Sequence, residues 1–343
     1  MADEPTNRLA FRQQAAFCAA MDAPITAAVC DALATALTRE GRTGRTVLDW
    51  PGDPIPDALP LRLVGGLHAL AQTGIDRDLT ALFAGAGEPQ AILRRALVDH
   101  DALLLPWLDG PPQTNEPMRS GVLMAGLLAV ARRHGPALDI LEIGSSAGLN
   151  LLIDRYRFDL GGVQVGPADA PVAIVPDWRG TPPPEAPIRI ERVRGVDIQP
   201  LDATDPVVAP RLSGYIWADQ PERQERLAAA TDMLRADPVD LVAGDAVGWL
   251  RDRLAEAQAA GVTRVLMHSV VWQYLGDDRR AAIRRMMAEA ADAATTDRPL
   301  AWVRMEPDRV LQRQELIVQS WPGHGEPQML ATAHAHGAWI AAT

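Results

Sequence analysis

The window LDILEIGSSAGLN (138–150) constrains this chain more than any other. An apolar run ends in an acid, Glu142, and glycines follow at 144 and 148. That spacing is how an α/β protein turns from a buried strand into a helix against a nucleotide-like ligand. Gly144 permits the tight turn, and Gly148 lets the helix approach both strand and ligand. The pattern predicts a helix over 147–157. The same residues, Gly-Ser-Ser-Ala-Gly, also spell a G-x-S-x-G nucleophile elbow with Ser146 as the nucleophile. One window therefore supports a cofactor-binding enzyme and a serine hydrolase, and the rest of the chain has to separate them.

From 138 onward strands and helices alternate. Apolar runs at 138–143, 188–197, 239–244, 263–271, 299–305, 314–321 and 328–334 read as strands. Periodic segments at 205–217, 221–236, 246–260 and 277–292 read as helices, which implies crossovers and a parallel sheet. QELIVQSW and QMLATAH are joined only by PGHGEP, so they must pair as an antiparallel hairpin. The Gly- and Pro-rich stretch 158–187 reads as an insertion. Before residue 138 the pattern is helical, with three/four spacing over 8–20, 25–39, 62–74, 90–104 and 118–135. DWPGDPIPDALP and LDGPPQTNEP read as loops.

Composition removes several chemistries. The net charge is −11 and no basic block occurs, which disfavours a nucleic-acid partner. All 33 basic residues are arginine, so neither a Schiff-base lysine nor a P-loop lysine exists. Cys18 and Cys30 lack metal-ligand spacing and read as small core residues of a reducing compartment. The polar N-terminus and the lack of a long apolar run point to a cytoplasmic protein without a membrane segment.

The window 138–150 resembles motif I of the class I S-adenosylmethionine-dependent methyltransferases, with Ser146 where many members carry a middle glycine. The resemblance implies a Rossmann-like α/β sheet of five parallel strands plus a C-terminal antiparallel hairpin. It also implies that Glu142 orients the methionine ammonium, while the loop Gly144–Gly148 and the helix start meet the methionine carboxylate. RGVDIQPLD (194–202) resembles the second-strand signature, in which Asp197 would accept from the ribose hydroxyls. Asp219 in YIWADQPER is the rival acid. Asp197 stands much further from Gly148 than the ~20 residues usual in such folds, which makes 158–187 a genuine insertion. In VDLVAGDAVGWL, Asp245 would lie near the adenine amino group, with Ala246 opening the next helix; the same carboxylate suits a helix cap.

RVLMHSVVWQYL ends the fourth strand with His268, whose imidazole has the right pKa range for a general base. Trp272 and Tyr274 could wall adenine or substrate, or pack in the core. Asn115, Glu116 and Arg119 in QTNEPMR cluster at a helix start near the expected cofactor mouth, where they could read a ligand or form a cap with an internal ion pair. Glu306, closing the fifth strand, is a further candidate for the same pocket. His324, His334 and His336 lack partners at metal spacing, so no metal is assigned.

The order QTNEPMR, LEIGSSAGLNLLIDRYRF, RGVDIQPLD, WADQPERQERL, GDAVGWL, HSVVWQYL and LAWVRMEP resembles, over nearly the whole chain, a bacterial family known as domain of unknown function 2332. The leading expectation is an S-adenosylmethionine-dependent methyltransferase acting on a small organic molecule. Residues 1–110 would then form a helical cap for the substrate, and 111–343 would hold the cofactor. A non-catalytic, cofactor- or metabolite-binding member of the fold is one alternative. A serine hydrolase using Ser146, Asp245 and His268 is the other, because they occur in the Ser…Asp…His order of α/β-hydrolases.

Overall fold

The computed structural model describes residues 3–110, 112–308, 311, 313–323 and 325–343. Its helices run α1 (Glu4–Ala20), α2 (Pro24–Ala36), α3 (Arg42–Leu48), α4 (Leu59–Gln72), α5 (Arg77–Phe83), α6 (Pro89–Asp99), α7 (Asp101–Leu104) and α8 (Arg119–His134). Then come α9 (Ala209–Gly214), α10 (Pro221–Ala236), α11 (Ala246–Ala255) and α12 (Asp277–Asp292). The chain divides into two compact units: Met1–Thr114 with Asp205–Glu225, and Asn115–Thr204 with Arg226–Thr343.

The first unit is helical around a core that includes Phe11, Leu33, Leu63 and Leu67, with the free thiols Cys18 and Cys30 fully buried among them. The first stretch of this unit ends at Thr114. The sequence gives no sign, however, that 205–225 joins this unit rather than continuing the strand–helix alternation. Packing explains it. Gly65 and Gly66 leave a groove on α4, where an added Cβ would stand 2.6 Å from the Tyr215 ring and 2.7 Å from that of Trp107. Asp219 then closes the start of α2, accepting from Ile25 N at 2.7 Å, Thr26 N at 3.0 Å and Thr26 Oγ1 at 2.6 Å. Ala23, the residue before that helix, has no side chain able to do so.

The second unit is built on a nine-stranded sheet: β1 (Ala137–Ile143), β2 (Asp177–Arg179), β3 (Arg189–Asp197), β4 (Asp240–Ala243), β5 (Val262–Ser269), β6 (Leu300–Asp308), β7 (Arg313–Trp321), β8 (Gln328–Ala333) and β9 (Trp339–Ala342). The spatial order is β2-β9-β8-β7-β6-β5-β1-β3-β4. All seven strands expected from sequence form. The block β4-β3-β1-β5-β6 is parallel throughout, and β7 and β8 pair as the expected antiparallel hairpin. β7 also pairs antiparallel with β6. The two extra strands, β9 and β2, extend the edge and are too short to show a period of their own. Helix α8 covers one face, where Gly126 lies against Val303 and Leu316; α11 and α12 cover the other around Leu141, Ile143, Leu266 and Trp302.

The region after Gly148 departs from expectation. In place of a helix over 147–157 there is one 3₁₀ turn, Leu149–Leu152. Asn115 Oδ1 takes the Leu149 N–H at 2.7 Å, and the Tyr156 hydroxyl donates to the Leu149 carbonyl at 2.7 Å, competing for the acceptor a continuing α-helix would use. The chain instead enters a three-stranded sheet (Arg157–Leu160, Val163–Val165, Ala173–Ile174) within the expected insertion.

The core strand β1 has every residue buried, Asp139 included. Its carboxylate meets Arg192 at 3.0 Å and Arg194 at 3.4 Å on β3, and Arg264 at 3.7 Å on β5; Glu256 adds a second carboxylate, 2.7 Å from Arg194. Arg194 and Arg264 are almost wholly buried, so the acid is what makes their burial tolerable. Asp139→Ala is expected to cost about 3–5 kcal/mol, the scale for stripping one partner from a buried ion pair. Urea unfolding followed by circular dichroism measures it.

Candidate functional site

The crossover direction reverses between β1 and β5, because β3 and β4 lie on one side of β1 while β5 and β6 lie on the other. In open α/β sheets this point, outside the carboxyl ends of the strands, is where ligands bind. Here it gathers Glu142, the 144–148 loop, Asp197 and the segment after β5. Gly144 has φ +70°, and a Cβ there would collide with Val271. The loop and the β5 terminus are therefore in contact, and only glycine allows it.

Two other residues here hold left-handed backbone without being glycine. Ser146 has φ +53° and Val270 has φ +55°. Such a conformation costs on the order of 1–3 kcal/mol, and for a β-branched residue it is a true outlier. Ser146 is held by Asp197, whose Oδ2 accepts its N–H at 2.8 Å, and by Leu201, which donates to its carbonyl at 3.2 Å. The serine thus takes the backbone shape that a middle glycine would take. Val270 is held by Met305, through N–H to carbonyl at 2.9 Å.

Glu142 is fully buried. Its Oε1 accepts from Asn150 Nδ2 at 2.9 Å, and its Oε2 has no partner. Burial pushes its carboxyl up to about 7; the Asn150 and Ser145 hydrogen bonds oppose the shift, and the nearby Asp197 charge adds to it. Asn150 Oδ1 and Ser146 Oγ are also buried without partners. Asp197 keeps spare acceptor capacity, since each oxygen receives one backbone N–H, from Ser146 and from Gln199 at 2.9 Å.

His268 and Glu306, separate candidates in sequence, come together. Nδ1 of the wholly buried His268 lies 2.6 Å from Glu306 Oε1. Glu306 also accepts from Val271 N at 3.1 Å and Trp272 N at 3.2 Å. The carboxylate fixes the proton on Nδ1 and leaves Nε2, which has no partner, as the basic nitrogen. Trp272 stacks on the imidazole with centroids 5.3 Å apart and planes 13° apart. Glu142 pairs in register with Met267, so His268, one residue later, faces the opposite side of the sheet.

The remaining candidates, Tyr274 apart, are occupied within the fold. Asn115 holds Leu149. Glu116 is buried, accepts from Met118 N and pairs with Arg226 at 3.1 Å; Arg119 donates to the Ala335 carbonyl at 2.9 Å. Asp245 caps α11 through Val247 and Gly248, directly before Ala246, and pairs with Arg279 at 3.0 Å. The Gly248 N–H and the Arg279 guanidinium hold its carboxyl below the ordinary range. Tyr274 is exposed. Asp219 belongs to the α2 cap in the helical unit, which leaves Asp197 as the acid at the loop. His336 N donates to His334 Nδ1 at 3.1 Å, and His324 lies outside the described residues.

The hydrolase relay Ser146–Asp245–His268 does not assemble. His268 takes its carboxylate from Glu306, Asp245 is committed to α11 and Arg279, and neither Ser146 Oγ nor His268 Nε2 has a hydrogen-bond partner. Sequence reasoning missed Asn150 and Val270. It also missed Trp302 and Arg304, although LAWVRMEP places Trp302, Arg304 and Glu306 at the period-two spacing of one strand face.

Residues 8–341 match the family described as "Uncharacterized protein conserved in bacteria (DUF2332)". The chain belongs to that family. Its match spans both compact units, so the helical unit is part of what defines the family. No curated protein and no solved structure matches the chain. No helix among the described residues is long and apolar enough to cross a membrane.

The raised Glu142 carboxyl has a sign that can be measured. Between about 4.5 and 7 the folded protein keeps a proton that the unfolded chain has lost. Stability from this group is therefore greatest at low pH and falls by about 3 kcal/mol as pH rises through that window. Glu142→Gln removes the dependence, so its melting temperature relative to the parent is expected to climb from pH 4.5 to 7.5. A constant offset across that range would contradict the assignment.

Proposed function

We propose that the second unit binds S-adenosylmethionine and that the protein is a methyltransferase acting on a small organic molecule. The observation that carries this reading is the Glu142–Asp197 pair. Two neighbouring carboxylates stand at a glycine turn on the switch point of a parallel sheet, and one has a buried oxygen without a partner. A ligand suited to them is cationic and carries a diol, as an adenosyl sulfonium with an amino-acid ammonium does. A dinucleotide suits them poorly: its pyrophosphate would meet negative charge, and the helix N-terminus that normally receives phosphate is replaced by a 3₁₀ turn. The order of the five parallel strands agrees with a Rossmann-like block, followed by the antiparallel strands that the methyltransferase resemblance implies.

When bound, the cofactor would supply an electrophilic methyl group. Asp197 would receive the ribose hydroxyls on its remaining lone pairs, and Glu142 would face the ammonium. Gly144, Ser146 and Gly148 would shape the loop beneath them. Asp245, at the end of β4, would stand towards the adenine. His268, with Nδ1 held by Glu306, would take the acceptor's proton at Nε2. Glu142 and His268 are buried and so act away from bulk water, and positioning of this kind contributes ~7–11 kcal/mol in well-oriented reactions.

Isothermal calorimetry with S-adenosylhomocysteine tests the reading. A saturable isotherm is expected, weakened at least tenfold by Asp197→Ala and by Glu142→Ala. A folded parent protein giving no heat with this compound or with S-adenosylmethionine would overturn it.

A further inference from the structure

Between α12 and strands β6 and β7, on the face that His268 occupies, lies a cleft of about 530 Å³. Trp272, Trp302 and Trp321 line it, with Met287 as a further apolar wall. Arg284 and Arg304 enter the same space. The Arg304 guanidinium lies 4.7 Å over the Trp302 ring and donates to Gln319 Oε1 at 2.7 Å; that of Arg284 lies 5.2 Å over Trp272.

Neither guanidinium forms an ion pair with a carboxylate among the described residues. Glu306 borders the cleft, but its oxygens are already taken up by His268, Val271 and Trp272. The other acid in the wall, Asp292, forms no ion pair with either arginine. Burial, and next the neighbouring Arg284 charge, hold the Arg304 pKa below its ordinary value against the opposing pull of the Glu306 charge, so the two cations stand close enough to repel. The indole N–H of Trp302, a wall residue only 5% exposed, is also without a partner. A half-buried and an exposed guanidinium without a paired carboxylate, and an unmet donor among indoles, suit an anion on a flat apolar body. Guanidinium forks match carboxylate geometry, and a cleft of this volume suits a ligand of one or two rings.

We propose that this cleft is a binding site for an aromatic carboxylate, its ring against the tryptophans and its carboxylate on Arg284 and Arg304. The site stands on its own geometry. Its identification as the acceptor pocket rests in addition on the methyltransferase reading, because Trp272 and Glu306 join the cleft to His268.

The test is calorimetric titration of the full chain with 1-naphthoate, in the absence of any adenosyl compound, so that it can fail or succeed independently of cofactor binding. Saturable binding is expected, at least tenfold tighter than that of uncharged 1-naphthamide. It should weaken at least tenfold in Arg284→Gln, an exposed position whose exchange leaves the fold intact, and in Arg304→Gln. No saturable heat, equal binding of the amide, or binding unchanged in Arg284→Gln with the parent's melting temperature would each overturn the proposal.

Discussion

Strand β1 carries two carboxylates within seven consecutive buried residues, and their surroundings treat them in opposite ways. Near its start, Asp139 is met by arginines from both neighbouring strands, and the charge is matched in place. Near its end, Glu142 meets one amide and a second carboxylate. Burying a carboxyl without a cation is unfavourable, so the group holds its proton to about pH 7 and keeps an oxygen unpaired. One strand therefore has one acid matched by arginines and another that is not matched by any cation.

The rest of the second unit follows from where that unmatched end falls. It lies at the reversal of the sheet, beside a glycine turn in contact with Val271, and between two non-glycine residues in left-handed backbone. Strain at Ser146 and Val270 persists because Asp197 and Met305 hold their N–H groups. The His268–Glu306 pair anchors the same segment from the other face, and Trp272 links it to the arginine cleft. Glu142 Oε2, Ser146 Oγ, Asn150 Oδ1 and His268 Nε2, each buried without a partner, lie towards the carboxyl ends of β1 and β5 or in the loop that follows β1.

Much of this was legible in the sequence because burial writes a strong period. The seven strands, the closing hairpin and helices α10 and α12 follow from apolar runs and their spacing, and so does the gathering of Glu142, Asp197 and His268 at strand ends. What was illegible depended on partners far along the chain. After Gly148 the chain makes one 3₁₀ turn in place of the expected helix, and the Tyr156 hydroxyl occupies the Leu149 carbonyl. The segment 205–225 joins the helical unit because of two glycines on α4 and an aspartate that caps α2. For Asn115, Glu116 and Arg119 the sequence leaves ligand contact and capping with an ion pair both open, and in the fold they hold the protein's own backbone and an ion pair. The match of His268 to Glu306 rather than Asp245 is likewise set by which strands become neighbours, which the order of residues along the chain does not reveal.

If the protein binds an adenosyl amino acid as proposed, the missing partner of the buried Glu142 carboxyl is the ligand's ammonium. Carbon-13 NMR of the labelled Glu142 carboxyl, titrated with and without S-adenosylhomocysteine, tests it most directly. A midpoint near 7 is expected in the free protein, moving to lower pH when the ligand's ammonium arrives. A midpoint in the ordinary carboxylate range near 4.5, unmoved by the ligand, would contradict it.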